Sequence, residues 1–384
     1  MQISKFLGVG ATEVIAKILS WLSLAIIPFF ATPEKYGEIV LYYSIIVFFM
    51  PVYLFGQDRL ILKNNPEKEL LSSFIFSIIL FSGLSTVLYF FDYFLASLAG
   101  LALALNKIYL TFLRSKEDFL KYSLNRIFYS ILRFLLVFII VYQFYTLNNY
   151  IIAEFLAAIV LTLGAFVGKI NFRFKDNFKF KERFIHGFPL MLHGISLFGV
   201  ALIDRFILEK YTDLKTVGNY SFLYIFASGL VFLYSIVSVF QEKKIYKSES
   251  YNILLFNVKR TLTYMFAIGS LGSILSFFVY FILLNFKLVN GYQAYYVELV
   301  VLILSHLILP VYLISNYIMI QNNKQKLLLF CSMFSFIINT IFNFLFIPNF
   351  GLVGAVWATL IANLFLVVLS AYLSFRIMQS RRIQ

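Results

Sequence analysis

Cations and acids stand inside stretches that are otherwise continuously apolar, and their spacing places them on common helix faces. Arg126, Ser130 and Arg133 are four and three residues apart, which puts them on one side of a helix. Gly100, Lys107, Thr111 and Arg114 share a face in the same way. Glu13 and Lys17 are spaced i,i+4 with the acid first, the order that favours an internal ion pair. His186, His193 and Asp204 fall on one face with Arg205 beside it. Glu298, Ser305, Tyr312 and Asn316 align on another, and Ser332, Ser335, Asn339 and Asn343 on a third. An ionisable side chain within a membrane span costs about 3 kcal/mol on insertion scales, so it faces a bundle interior or a wet cavity. Lys107 and Arg133 lie deepest in their helices and read as cavity residues. Arg114 and Arg126 are nearer a span end and fit snorkelling equally well. Glu13–Lys17 also reads as a structural pair, and the Ser/Asn stripe as hydrogen bonding between helices. The two histidines lie seven residues apart with no carboxylate or cysteine at ligand spacing, which argues against a metal site.

Nothing points to catalysis. The chain has no Walker-type glycine loop, no HExxH, no nucleophile elbow and no large outer loop to hold an active site, so neither catalytic residues nor a cofactor are expected. Without a nucleotide site, active transport would draw on an ion gradient or on the substrate's own gradient. Asn219-Tyr220-Ser221 fits a glycosylation sequon, a match short enough to arise by chance. The single cysteine, Cys331, excludes a disulfide within the chain.

The elements that position these residues follow from composition. Of 384 residues 61% are apolar and 13% charged, with a mean hydropathy of +0.87. A soluble domain carries roughly 25% charge. The chain therefore reads as an all-α, polytopic membrane protein. Each span needs about 20 apolar residues, and about twelve fit: 6–30, 36–56, 70–91, 93–113, 122–145, 149–169, 184–208, 216–240, 258–284, 292–320, 325–347 and 351–375. The runs are continuous rather than alternating, which indicates helices and not a barrel. Glu13 and Lys17 interrupt the first apolar stretch, and no cleavage site follows, so it does not read as a signal peptide. Pro28, Pro51, Pro189 and Pro310 are expected to kink their spans.

With the N-terminus in the cytoplasm, 24 of the 32 basic residues fall on cytoplasmic segments and four (Lys35, Lys210, Lys215, Lys287) outside. The positive-inside rule then puts both termini in the cytoplasm. The same split accounts for most of the net charge of +14 without a nucleic-acid partner. The largest basic loop divides the chain into an N-terminal six-helix lobe (1–170), a basic linker (171–183), a C-terminal six-helix lobe (184–378) and a short tail (379–384). An even number of spans per half implies a parallel repeat with pseudo-two-fold symmetry about the membrane normal. A weak internal match supports the repeat. Thr32-Pro33-Glu34-Lys35-Tyr36-Gly37-Glu38-Ile39 and Thr212-Asp213-Leu214-Lys215-Thr216-Val217-Gly218-Asn219-Tyr220 are both charged turns leading through Gly into an aromatic-rich helix.

Three stretches resemble the oligosaccharide-unit flippases (Wzx-type), members of the superfamily that also holds the multidrug and toxic-compound exporters. They are Phe55-Gly56-Gln57-Asp58-Arg59-Leu60-Ile61-Leu62-Lys63; Ile203-Asp204-Arg205-Phe206-Ile207-Leu208 with Val217-Gly218-Asn219-Tyr220; and the run from Ile338 to Ala355, with its Asn339-x-x-x-Asn343 and Pro348-x-x-Gly351-x-x-Gly354-Ala355 spacing. The resemblance implies two six-helix lobes in a V-shaped bundle that opens alternately to either side. The implied cargo is an undecaprenyl-pyrophosphate-linked oligosaccharide for O-antigen (lipopolysaccharide) or capsule, turned across the bacterial inner membrane. A coupling ion, H+ or Na+, and contact with the polysaccharide polymerase machinery belong to the same picture. Under it, Lys17, Lys107 and Arg133 line the cavity and attract the anionic head, with Arg59, Arg126 and Arg205 as further candidate cations. Asp58, Arg59, Asp204 and Arg205 fit lobe-stabilising pairs as well as ligands. Glu154, Asp204 and Glu298 are candidate ion-coupling acids. An exporter of organic cations would share this architecture but favour acids in the cavity. A membrane polymerase would need a larger outer domain than this chain provides.

Overall fold

In a computed structural model, described for residues 2–63, 65–167, 180–246, 248 and 250–383, the chain is helical and no strand occurs among the described residues. The helices are α1 (Gln2–Ala25), α2 (Pro33–Leu54), α3 (Gln57–Lys63), α4 (Pro66–Phe90), α5 (Phe94–Ser115), α6 (Phe119–Gln143), α7 (Leu147–Val167), α8 (Phe180–Tyr211), α9 (Leu214–Tyr246), α10 (Tyr251–Asn285), α11 (Tyr296–Leu307), α12 (Leu309–Gln321) and α13 (Gln325–Ile383). Among the described residues, ten helical stretches have the length and hydropathy to cross a membrane, and α7 has a shorter apolar segment, Leu147–Val160. This is a multi-pass membrane protein. At 1.5 Å per residue α13 would extend about 90 Å, some three times a bilayer's hydrocarbon core. Gly351 (φ 54°, ψ −129°) interrupts it three residues after Pro348, so α13 is two spans. With α7 and both halves of α13, every one of the twelve expected passages has its helix.

Breaks and starts have local causes. Phe55 (φ 43°) and Gly56 (φ 71°) both take left-handed backbone and separate α3 from α2, where the sequence suggested one span running to residue 56. Pro310 in the first turn of α12 divides the tenth span as expected. Asn65 caps α4 by accepting from Glu67 N–H at 3.1 Å, and Asp118 caps α6 through Lys121 N–H at 3.2 Å. At the start of α9, Thr216 N–H donates to Asp213 Oδ1 at 2.7 Å. That bond holds the Asp213 carboxyl below the usual carboxylate range.

The chain forms two compact units: Met1–Phe30 with Glu38–Ile195, and Ala31–Gly37 with Ser196–Gln384. The division falls within α8, after the expected linker. Residues 171–179 of that linker lie outside the described residues, and residues 180–183 are the first turn of α8. In the first unit α6 packs on α1 and α7, and α5 on α3, α4 and α7. The α5–α7 contact is built from small side chains, with Ala102, Ala157 and Ala158 buried around Tyr129. In the second unit α9 packs on α10 and α11, and α12 on α13.

The two turns that matched in sequence meet inside the second unit. A Cβ on Gly37 would stand 2.1 Å from the Leu214 carbonyl oxygen, and one on Gly218 would stand 1.8 Å from the Pro33 carbonyl oxygen. The paired glycines are thus where the starts of α2 and α9 cross backbone to backbone.

Candidate functional site

A charge cluster sits in the first unit, supplied by α1, α3, α5 and α6. Glu13 of α1 accepts from Tyr122 Oη, and its Oε1 lies 3.4 Å from Arg126 Nε on α6. Glu13 and Arg126 are partly open, with side-chain exposures of 19% and 22%. Lys107 of α5 is exposed, although its neighbours Asn106 and Ile108 to Leu113 are buried. The charges that act on it are Arg126, Asp58, Arg114 and Glu13, and Lys17 acts on Glu13. Four cations (Lys17, Lys107, Arg114, Arg126) thus stand with two acids (Glu13, Asp58). Glu13, expected to pair within α1, also reaches across to α6. Arg59 is exposed on α3, where its charge is felt by His193.

The deepest predicted cation is placed differently. Arg133 is 3% exposed and Glu154 fully buried. Arg133 Nε donates to both Glu154 oxygens at 2.7 and 3.0 Å, and its Nη2 to Oε1 at 2.8 Å. Its Nη1 donates to the Ser20 carbonyl at 2.9 Å, Tyr150 Oη donates to Glu154 at 3.0 Å, and the guanidinium lies 5.2 Å from the centre of the Tyr43 ring. Arg133 was expected among the cavity cations, and the resemblance made Glu154 a candidate coupling acid. They bind each other and tie α6 to α7 and α1.

A second buried pair belongs to the second unit. Asp204, fully buried on α8, accepts from Tyr220 Oη of α9, from the Arg205 backbone N–H at 2.9 Å and from Arg205 Nη1 at 3.3 Å. Tyr220 Oη also lies 3.1 Å from Thr359 Oγ1 in the second half of α13. Arg205 stacks 4.6 Å from the Tyr224 ring centre, and its Nε is buried without a hydrogen-bond partner. Glu298 is half-buried in the first turn of α11.

One buried ion pair escaped the sequence reading. Arg183, counted among the basic linker residues, is 7% exposed and donates to Glu69 of α4 and, at 2.6 Å, to Gln57 Oε1 of α3. The signal lay in Glu69, Ser73 and Ser77, an i,i+4 polar stripe through an apolar span whose three members are all buried.

No family profile and no curated protein matches the sequence. Solved structures do match the fold. An inward-facing multidrug-resistance transporter of the MATE family, in the MOP superfamily, superimposes with a TM-score of 0.78 at 14% identity over 95% of both chains. The lipid II flippase MurJ in an inward closed conformation gives 0.73 at 14% identity, over 98% of this chain and 90% of that one. A MOP superfamily transporter from Pyrococcus furiosus, described as having a binding pocket of reversed polarity, gives 0.69 at 14% identity over 98% and 96%. The chain has the fold of MOP-superfamily transporters.

Proposed function

We propose that the protein is a flippase that turns oligosaccharide repeat units, carried on undecaprenyl pyrophosphate, across the inner membrane by alternating access, for assembly of O-antigen or capsule. The observation that carries this reading is the charge cluster around Lys107, with four cations against two acids among the described residues. A pyrophosphate cannot cross hydrocarbon without compensation. Lysine and arginine in a wet recess supply that compensation at low cost, and Arg126 adds the planar fork suited to phosphate oxygens. The three sequence stretches that resemble oligosaccharide-unit flippases, and the similarity of fold to a lipid II flippase, support the same class of cargo. Within this reading Lys107, Arg126, Lys17 and Arg59 receive the head. Glu154 and Asp204, each buried against an arginine, are the acids through which an ion gradient would act. Exporting organic cations would call for uncompensated acids, and both of these buried carboxylates are matched by cations.

The test is transbilayer movement of a fluorescent pyrophosphate-linked oligosaccharide lipid in proteoliposomes, alongside uptake of ethidium. Lys107→Ala and Arg126→Ala are each expected to slow lipid movement roughly tenfold, a barrier change of about 1.4 kcal/mol, while folded protein is recovered in normal amount. Unchanged lipid movement in both variants, or ethidium transport without lipid movement, overturns the assignment.

A further inference from the structure

On the second unit, α9 and α10 enclose a groove of about 460 Å³ whose walls are apolar, among them Val237, Phe240, Ile268 and Leu271. It is open to the surroundings: Phe240 is 43% exposed and Leu271 69%. Along α10 it runs from Tyr264 to Leu271, seven residues or about 10 Å. The Tyr264 end is polar, and it is the end of the groove nearest the connection between the two helices.

Two observations at that end point to a ligand. Gln241 lines the groove and is 6% exposed, yet its Oε1 is buried with no hydrogen-bond partner. A buried amide oxygen in that state carries a desolvation penalty that a donor from outside would remove. Beside it, Tyr264 accepts from Arg260 Nε at 2.9 Å, and the guanidinium stacks 5.4 Å from the ring centre. Arg260, exposed, is thereby held against Tyr264 at the rim. Lys259 and Lys244 are also exposed here, and residues 241–260 carry five bases against two acids, Glu242 and Glu249, so the stretch is net positive. Asn257 Nδ2, bonded to the Lys244 carbonyl at 3.3 Å and to Ser248 Oγ at 3.0 Å, fixes the ends of the two helices together.

We infer that this groove binds an anionic glycerophospholipid with a phosphoglycerol head. Its acyl chain lies along Ile268 and Leu271, its phosphate meets Arg260, and a headgroup hydroxyl donates to Gln241. The net positive stretch disfavours a head that ends in an ammonium group, and the unpartnered amide asks for a donor that a choline head lacks. A phosphoglycerol head satisfies both, and its phosphate also accepts from the amide NH2. A second apolar groove, bounded by Leu262, Ile318 and Tyr372, carries a similar stacked pair, Arg376 Nε to Tyr372 Oη at 3.2 Å. Its buried Ser315 and Ser374 hydroxyls already bond each other at 3.1 Å, so that groove supplies the control. The inference is independent of the cargo proposed above.

Native mass spectrometry of the full chain in detergent, exchanged with phosphatidylglycerol and phosphatidylethanolamine of identical acyl chains, tests it. Retention of phosphatidylglycerol should exceed that of phosphatidylethanolamine by roughly tenfold. Arg260→Ala should abolish that preference, Gln241→Leu should reduce it several-fold, and Arg376→Ala should leave it intact. Arg260 is exposed, so its variant is expected to melt as the parent does, which separates loss of lipid from loss of fold. Equal retention of both lipids, an unchanged preference in Arg260→Ala, or a polyprenyl phosphate as the species retained each overturns the inference.

Discussion

Two arginines on one face of α6 meet opposite fates, and the difference lies in what stands across from them. Arg126, seven residues before Arg133, shares Glu13 with Tyr122 in a partly open setting. Arg133 is sealed against Glu154 through Nε and Nη2, with Nη1 donating to the Ser20 carbonyl. Spacing predicted the shared face, but the partner comes from another helix 21 residues away, and no periodicity within α6 encodes it. A buried pair adds little net stability, yet removing one member leaves an uncompensated charge, at a cost of about 3–5 kcal/mol. Arg133→Ala and Glu154→Ala are therefore each expected to lower thermal stability in detergent by about that amount. The double variant Arg133→Leu/Glu154→Leu should recover most of the loss. Melting curves of the three proteins decide it. If Arg133→Ala melted as the parent does while lipid transport fell, Arg133 would be a ligand for the cargo instead.

Element boundaries follow the same division between what is local and what is remote. The break at Gly351 after Pro348, the split at Pro310 and the caps at Asn65 and Asp118 are written in adjacent residues, and all were open to direct reading. Arg183 was not legible, because its partners Glu69 and Gln57 lie more than 100 residues away, and a basic residue beside a charged loop looks solvated. Between these cases stand Gly37 and Gly218. Their turns matched in sequence, but only packing gives the glycines a reason, since each leaves room for the other turn's backbone. A methyl group at Gly218 has rigid carbonyl in its way, and overpacking of that kind costs about 1–3 kcal/mol. Gly218→Ala should lower the melting temperature accordingly. Gly83→Ala on α4, where a Cβ would meet nothing within 4 Å, should be neutral or stabilising by up to about 1 kcal/mol. Equal effects of the two substitutions would remove the crossing as the explanation.

For the whole molecule, the informative quantity is where the charge lies. Each helix can be inserted either way round on hydrophobicity alone; the 24-to-4 division of basic side chains predicts one orientation for the entire bundle. That choice has a functional consequence. Under the predicted orientation Lys107, seven residues before Arg114 toward the basic end of α5, lies nearer the cytoplasmic leaflet, where the proposed cargo would be loaded. Cysteine labelling reads the orientation directly, because the chain has a single cysteine to remove. Cys331 is buried with Met319, Leu328 and Leu366 around it, and Cys331→Ser preserves its size. In that background Lys215→Cys and Lys287→Cys, both at exposed positions, should react with an impermeant maleimide in intact spheroplasts. Lys244→Cys and Lys324→Cys, equally exposed, should react only after permeabilisation. The reverse pattern would put the basic ends outside and turn the cluster toward the wrong leaflet for loading. The direction of transport proposed for this protein would then fail even if its cargo were right.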